Sequence, residues 1–315
     1  MNILHLSDTQ LSGSCQRISA LLTKYGGVES KHYVWRTRVG FREFPVDLCP
    51  MNTSLEEMRY LIYEWADVIN YHNRWKRQEI FQALGTPPPD TPSVIQMHSP
   101  RESENFKEEL ASGIPIAVVA QYQVRQWDEL RYIVPNVVDI RDPLYISDRP
   151  PYMTTLSPVV SYAPSNTNSR GWDDKSYGSV NPVLKRMRLK GEIYYDLIQQ
   201  KPFLDTMALK HRADIGIDEI VSGSYHLSAL EYLALGVPCF CNVDDKTEKV
   251  LKDLTGCTTM PFLKANKYSF ERELRRIIKG QLWCVLGLDA RDWMAKYWNP
   301  EVLCEHYLKM YHSLV

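Results

Sequence analysis

Short apolar runs alternate with longer amphipathic stretches along most of the chain. Residues 2–7 and 93–97 are compact runs of the kind that forms buried strands. Residues 15–25, by contrast, place apolar side chains at helical spacing and end at a glycine pair. Strands that alternate with helices predict parallel sheets covered by helices on both faces. The pattern therefore predicts an α/β fold.

Composition sets broad limits on size and partners. A chain of 315 residues is long enough for two domains with separate cores. The net charge of −1 gives no overall positive field that would attract nucleic acid, although local basic patches stay possible. The seven cysteines are scattered without a C-x-x-C pair, which favours reduced thiols. We expect no leader, no membrane span and a cytoplasmic location.

Residues 212–241 carry the most specific pattern in the chain. An apolar strand at 213–217 is followed by a small polar loop, a helix over 225–235 and a second apolar strand at 237–241. Glu231 lies inside the apolar stripe of that helix. A carboxylate there needs a strong hydrogen-bond partner, unless it lies at the edge of the stripe and reaches solvent.

This order of elements, with G-x-P before the second strand, resembles the nucleotide-sugar site of retaining glycosyltransferases with two Rossmann-like domains (the GT-B fold), especially glycosyltransferase family 4. The resemblance implies that Glu231 binds the ribose hydroxyls of a nucleotide donor. It also implies that the helix start faces the donor diphosphate through its dipole and amides. The donor-binding residues there would be Ser224, Tyr225, His226 and Leu227.

Gly223 departs from the family pattern, which carries a second glutamate at this position. Gly223 stays a donor-binding position by resemblance, but without the sugar contacts of that carboxylate. In residues 164–171 the resemblance places Arg170 where the family has the lysine that grips the diphosphate. Lys175 either supplies a second positive charge there or is a solvated loop cation.

Three residues of the first half are further site candidates. Gly13 lies in the loop after the first strand, which either approaches the donor diphosphate or is a tight turn without a ligand. His98 follows the strand at 93–97, at the sheet edge where open α/β sheets bind ligands. Family members place a histidine there, so His98 is a catalytic and acceptor-side candidate. Asn73, at the end of the preceding strand, is a second acceptor-side candidate.

Residues 132–140, YIVPNVVDI, resemble the family's V-I-P-N-G-V-D segment, which closes the first domain. Proline-rich spacing in 141–156 then predicts a linker. The expected architecture is an acceptor-side Rossmann-like domain at 1–148 and a nucleotide-sugar domain at 149–295, facing a central cleft. By resemblance, a C-terminal helix at 296–315 crosses back and packs on the first domain.

The resemblance implies an enzyme that moves a sugar, expected to be a hexose, from a nucleotide-diphosphate donor to an acceptor hydroxyl with retention of configuration. Arg170 and the amides of 224–227 would stabilise the charge of the leaving diphosphate. The sequence shows no clear metal-ligand set, so we expect neither a metal nor a cofactor besides the donor substrate. The leaving phosphate would take the acceptor proton.

Two other functions remain open. The first is a virus-type glycosyltransferase acting on hydroxymethylated bases in DNA, which would bind through a basic, aromatic surface of the first domain. The residues of that surface would be Arg74, Trp75, Lys76, Arg77, Arg125, Trp127 and Arg131. The second is a non-catalytic nucleotide-sugar-binding or scaffold protein, which Gly223 favours. The donor base and sugar, the acceptor (glycan, small molecule or modified DNA) and the oligomeric state are not specified.

Overall fold

The structure is a computed structural model of the chain. It describes residues 1–36, 47–73, 77–86, 89–99, 107–125, 130–146, 157–164 and 175–315. The chain divides into two compact units. The first contains Met1–Val137 and Pro300–Val315, and the second contains Val138–Asn299.

The first unit is built on a six-stranded sheet in which neighbouring strands are parallel. The strands are β1 (Asn2–Ser7), β2 (Glu29–Val34), β3 (Val68–His72), β4 (Ser93–Met97), β5 (Ile116–Val119) and β6 (Leu130–Val134), in the spatial order β2-β1-β3-β4-β5-β6. The first helices are α1 (Ser14–Tyr25), α2 (Leu55–Tyr60, continued by a π-helical turn at Leu61–Trp65), α3 (Arg77–Leu84) and α4 (Lys107–Ala111).

The second unit has a five-stranded sheet, again parallel throughout. Its strands are β7 (Val159–Tyr162), β8 (Tyr194–Leu197), β9 (Ile215–Glu219), β10 (Cys239–Cys241) and β11 (Leu263–Lys264), in the order β11-β10-β9-β7-β8. Its helices are α5 (Tyr177–Leu189), α6 (Phe203–His211), α7 (Leu227–Ala234), α8 (Asp245–Thr255), α9 (Phe270–Lys279) and α10 (Trp283–Tyr297). Strand β9 is buried at all five positions, as expected for a central parallel strand.

The last helix, α11 (Pro300–His312), belongs to the first unit and packs against α1. It satisfies buried polar groups on the sheet. The side-chain amide of Asn70 on β3 donates to the Tyr311 hydroxyl at 2.7 Å. The Tyr307 hydroxyl accepts from Gln96 on β4 at 3.2 Å and donates to the Pro135 carbonyl at 2.7 Å. The aromatic positions of the chain end are thus both packing and hydrogen-bonding groups.

Two α/β units, each on a parallel sheet, confirm the predicted fold class. The predicted linker, 141–156, lies partly outside the described residues. Residues 283–297 form the single helix α10, which continues through Gly287. Within the described ranges, no helix combines the length and apolar character needed to cross a bilayer.

Candidate functional site

The loop between β9 and α7 is held by the buried carboxylate of Glu219, the last residue of β9. It accepts backbone N–H groups from Val221 (3.1 Å), Ser222 (2.5 Å) and Ser224 (3.2 Å). Burial raises the pKa of Glu219, although hydrogen bonds from this loop act to lower it. Gly223 has a φ of 78°, in the left-handed region that favours glycine. The backbone conformation therefore explains why a glycine occupies this position in place of the family's glutamate.

Asp218, the preceding residue, is fully buried and accepts hydrogen bonds from Lys175 and His226, with the Cys241 thiol a longer contact at 4.0 Å. The Nζ of Lys175 lies 2.8 Å from its Oδ1, and the backbone N and Nδ1 of His226 lie 2.6 and 3.0 Å from its Oδ2. Burial alone would raise the pKa of Asp218, but attraction to Lys175 and His226 outweighs burial and holds it well below its usual range. The carboxylate is therefore ionised at neutral pH. Lys175, at 4% exposure, is not a solvated loop cation.

Glu231, on the buried side of α7, forms an ion pair with Lys210 of α6. The Nζ of Lys210 lies 2.5 Å from the Oε2 of Glu231 and donates to the Ser228 hydroxyl at 2.8 Å. The two side chains are 8% and 1% exposed, so the solvent-exposed alternative for Glu231 is wrong. Burial lowers the pKa of Lys210, and attraction to Glu231 opposes that effect. Lys210 is the partner that the sequence pattern required without identifying.

The other residues at the start of α7 differ in what they offer a ligand. Tyr225 is 1% exposed and its ring stacks on Phe262 at 5.2 Å between centroids, so it packs in the interior. His226 is the N-cap of α7, and its Nδ1 carries the proton because the carboxylate of Asp218 only accepts. Leu227 is the first helical residue. Of the predicted phosphate-binding amides, those of Ser224 and His226 already donate to Glu219 and Asp218.

Several predicted site residues lie outside the described residues. They are Arg170 and, from the candidate nucleic-acid surface, Arg74, Trp75, Lys76 and Trp127. Of that surface, Arg125 ends a short 3₁₀ turn and the exposed Arg131 lies on β6, its guanidinium 5.3 Å from the ring centre of Tyr132.

In the first unit, the predicted residues lie where parallel strands end. Gly13, with a φ of 76°, is the N-cap of α1 in the connection after β1. Asn73 follows β3 with a φ of 54°, a conformation that asparagine tolerates. Its Oδ1 accepts the backbone N–H groups of His98 (2.6 Å) and Ser99 (3.1 Å). Asn73 and His98 are thus brought together at the ends of β3 and β4.

His98 is also the outer member of a hydrogen-bonded chain of histidines. Its Nε2 lies 2.9 Å from the Nδ1 of His72, whose Nε2 lies 2.9 Å from the Nδ1 of His5. A fourth histidine, His32, bonds through Nε2 to the Ser7 hydroxyl at 2.8 Å. Burial lowers the pKa of His98 to about 4 and that of His32 to about 3, and it lowers those of His5 and His72 well below the ordinary value. All four rings are neutral at pH 7.

Sequence reasoning missed Asp218, Glu219, Lys210 and the inner histidines. Asp218 and Glu219 carried a usable signal, because they end an apolar strand at the edge where parallel sheets bind ligands. Lys210 carried none, since nothing in the pattern of α6 indicates its partner. His5 and His72 alternate with apolar residues on β1 and β3, which indicates a buried position but not a hydrogen-bonded chain.

No family model matches the sequence, and no curated protein matches it in sequence. Solved structures do match the fold. An α-glucosyltransferase in complex with UDP-glucose and DNA containing an abasic site matches with a TM-score of 0.68 at 9% identity, over 100% of this chain and 99% of that one. Sucrose-phosphate synthase from Thermosynechococcus elongatus gives 0.60 at 11%, over 100% and 99%. Anabaena HepE in complex with UDP gives 0.59 at 13%, over 99% and 100%. The chain therefore has the GT-B fold of glycosyltransferases.

The buried pair of Lys210 and Glu231 predicts a strong asymmetry between single and double substitutions. Lys210→Met should lower the free energy of unfolding by about 3–5 kcal/mol, because Glu231 is left as a buried charge without a partner. Lys210→Met combined with Glu231→Leu should recover most of that loss in urea unfolding. Lys249→Met, which breaks an exposed ion pair with Asp253, is the control and should leave stability unchanged. Additive losses in the double variant would show that the pair is not coupled.

The four histidines predict that mild acid destabilises the first unit. Their folded-state pKa values lie below the unfolded value near 6.5, so the unfolded state binds more protons as the pH falls. Stability should be highest above pH ~6.5 and fall by about 1.4 kcal/mol per pH unit for each histidine, until the folded-state pKa is reached. Urea unfolding at several pH values measures this slope.

His32→Asn should make the pH dependence shallower by about a quarter, since one of four equivalent groups is removed. His312→Gln, at an exposed position in α11, should leave it unchanged. A stability that stays constant from pH 7 to pH 5 would contradict the assignment of four rings that are neutral at pH 7.

Proposed function

We propose that the protein is a glycosyltransferase that moves a sugar, a hexose, from a nucleotide-diphosphate donor to an acceptor hydroxyl. The observation that carries this proposal is Glu231, a carboxylate held at a defined position inside α7 by Lys210, directly after a loop with one fixed shape. The shared fold supports the donor class, because the matching α-glucosyltransferase and HepE structures hold UDP-glucose and UDP.

The donor would bind at the start of α7. The first amides of a helix have no partner within the helix and face its N-terminal side, where the helix dipole favours an anion. Asp218 fixes this end by accepting from the backbone N–H of His226. Since the carboxylate of Asp218 balances the charge of Lys175, the positive charge on the diphosphate would come from Arg170. Glu231 would accept from the ribose hydroxyls.

The transfer we propose retains configuration and requires no metal. The acceptor oxygen forms a bond to the anomeric carbon as the bond from that carbon to the phosphate oxygen breaks. The acceptor proton passes to the leaving phosphate, whose negative charge Arg170 and the helix amides stabilise. Neutral His98, supported by Asn73, would hydrogen-bond the acceptor.

A thermal-shift panel of UDP-, GDP-, ADP- and dTDP-sugars tests the donor. A donor at ~100 times its dissociation constant should stabilise the protein by roughly 2.7 kcal/mol, a clear rise in melting temperature. Glu231→Gln should reduce the rise, because the ribose hydroxyls then meet one uncharged acceptor oxygen and an NH2 donor in place of a carboxylate. Glu248→Gln is the matched control, because Glu248 is a half-buried glutamate of α8 that also pairs with a lysine. This variant should keep the rise in melting temperature.

Arg170→Ala provides a second test that leaves both residues of the Lys210–Glu231 ion pair in place. It should lower kcat by about 10²–10³, as expected when one donor to a developing charge is removed. Full donor binding by Glu231→Gln, or unchanged turnover by Arg170→Ala, would overturn the site assignment. Donor binding without hydrolysis or transfer would favour the non-catalytic alternative.

DNA is a second candidate acceptor, favoured by the fold match to an α-glucosyltransferase bound to DNA. Arg125 and Arg131 of the first unit would contribute to the contact surface. Binding of a hydroxymethylcytosine duplex should then weaken steeply with salt, with a slope in log–log coordinates set by the number of phosphates contacted. Arg131→Ala should reduce that slope by about one. No binding at low salt would remove DNA as the acceptor.

A further inference from the structure

A cluster that joins the histidine chain to α1 shares His98 with the proposed transfer, which uses neither of its other two residues. The cluster contains Cys15, in the first turn of α1, with His72 at the end of β3 and His98 after β4. Each residue offers one ligand atom, the Sγ of Cys15 and a ring nitrogen of each histidine, and these atoms all lie within 4.8 Å of one another. We propose that Cys15, His72 and His98 form a binding site for a soft divalent cation, with Zn²⁺ as the natural probe.

The donor set selects the class of cation. A thiolate with two imidazoles suits Zn²⁺ and its spectroscopic substitute Co²⁺, whereas Mg²⁺ and Ca²⁺ prefer oxygen ligands. Three protein ligands leave a fourth position of a tetrahedral site for water. Since Cys15 and His72 are buried and His98 is partly exposed, the cation would enter from the side of His98.

The two imidazoles already converge. The Nδ1 of His72 and the Nε2 of His98 are 2.9 Å apart and share one proton. A zinc ion with bonds of about 2.0–2.1 Å to each nitrogen spans a slightly wider pair, so it fits between them with a small movement of the rings. The shared proton, carried by the Nε2 of His98, moves to the Nδ1 of the same ring. The Nε2 of His72 bonds to the Nδ1 of His5, which holds the His72 ring with Nδ1 toward the cluster. Such an outer partner is typical of metal-binding histidines.

The proton balance of binding is simple. Burial raises the pKa of the Cys15 thiol, so the thiol is protonated without a cation and gives up this proton to solvent when the sulfur binds one. Each imidazole stays neutral, with its proton on the Nε2 of His72, donated to His5, and on the Nδ1 of His98. One proton is released for each ion bound.

Cobalt titration of the chelator-treated full chain tests the site. One Co²⁺ per chain should produce a thiolate-to-cobalt charge-transfer band in the near ultraviolet and intense visible bands of tetrahedral Co²⁺, and Zn²⁺ should abolish both. Cys15→Ser should lose the charge-transfer band. Cys304→Ser is the matched control, since Cys304 is also buried in the first unit, where its thiol contacts the Leu21 carbonyl at 3.5 Å. It should keep the band.

His98→Gln is the second variant, because a partly exposed side chain can be replaced with less risk to folding than Cys15. It should weaken cobalt binding at least about tenfold and change the visible bands, while circular dichroism stays as in the wild type. The proposal is overturned if the wild-type chain produces no thiolate band with Co²⁺. It is equally overturned if folded Cys15→Ser keeps the band, or if Cys304→Ser loses it.

Discussion

Asp218 is the residue on which the candidate site of the second unit depends. Its buried carboxylate is stable only because Lys175 and two N–H groups of His226 surround it. Through these bonds it joins the end of β9 to the start of α5 and to the N-terminus of α7. The neighbouring Glu219 fixes the intervening loop in the same way. In the proposed donor complex, the groups that would face the ligand are positioned by buried charges that the ligand does not touch, which is what preorganisation requires.

The first unit also buries polar side chains that need hydrogen-bond partners, but these side chains are neutral. His5, His32 and His72 lie buried on its sheet beside Asn70 and Gln96. Burial keeps the imidazoles uncharged, and each ring forms at least one hydrogen bond to another side chain. The tyrosines of α11 complete the network by bonding to the two amides, so the end of the chain is needed for a polar interior that begins at its first strand. The second unit is therefore sensitive to the loss of a partner for a buried charge, and the first unit is sensitive to protonation of its histidines.

Periodicity was enough to predict most strands and helices, because buried parallel strands and amphipathic helices have distinct apolar spacing. It also placed Glu231 correctly within an apolar stripe. It could not identify Lys210, since the partner lies on another helix and their contact exists only in the tertiary structure. The histidine chain was missed for the same reason, because His5 lies on β1, His72 on β3 and His98 after β4, and their contacts exist only in the tertiary structure. Arg170 was placed by family resemblance alone and lies outside the described residues.

The backbone geometry at Gly223 changes how the missing glutamate at this position is interpreted. From the sequence, the glycine marks a missing carboxylate. In the structure, its φ of 78° belongs to a loop whose amides at Val221, Ser222 and Ser224 already bond to Glu219. A glutamate at 223 would be strained in that conformation and would place a second carboxylate beside the first. The amides of Ser224 and His226 also donate to carboxylates, those of Glu219 and Asp218. In the proposed donor complex, the diphosphate would therefore meet the remaining amides at the start of α7, directly before Glu231, and the departure at Gly223 would change how the sugar is held.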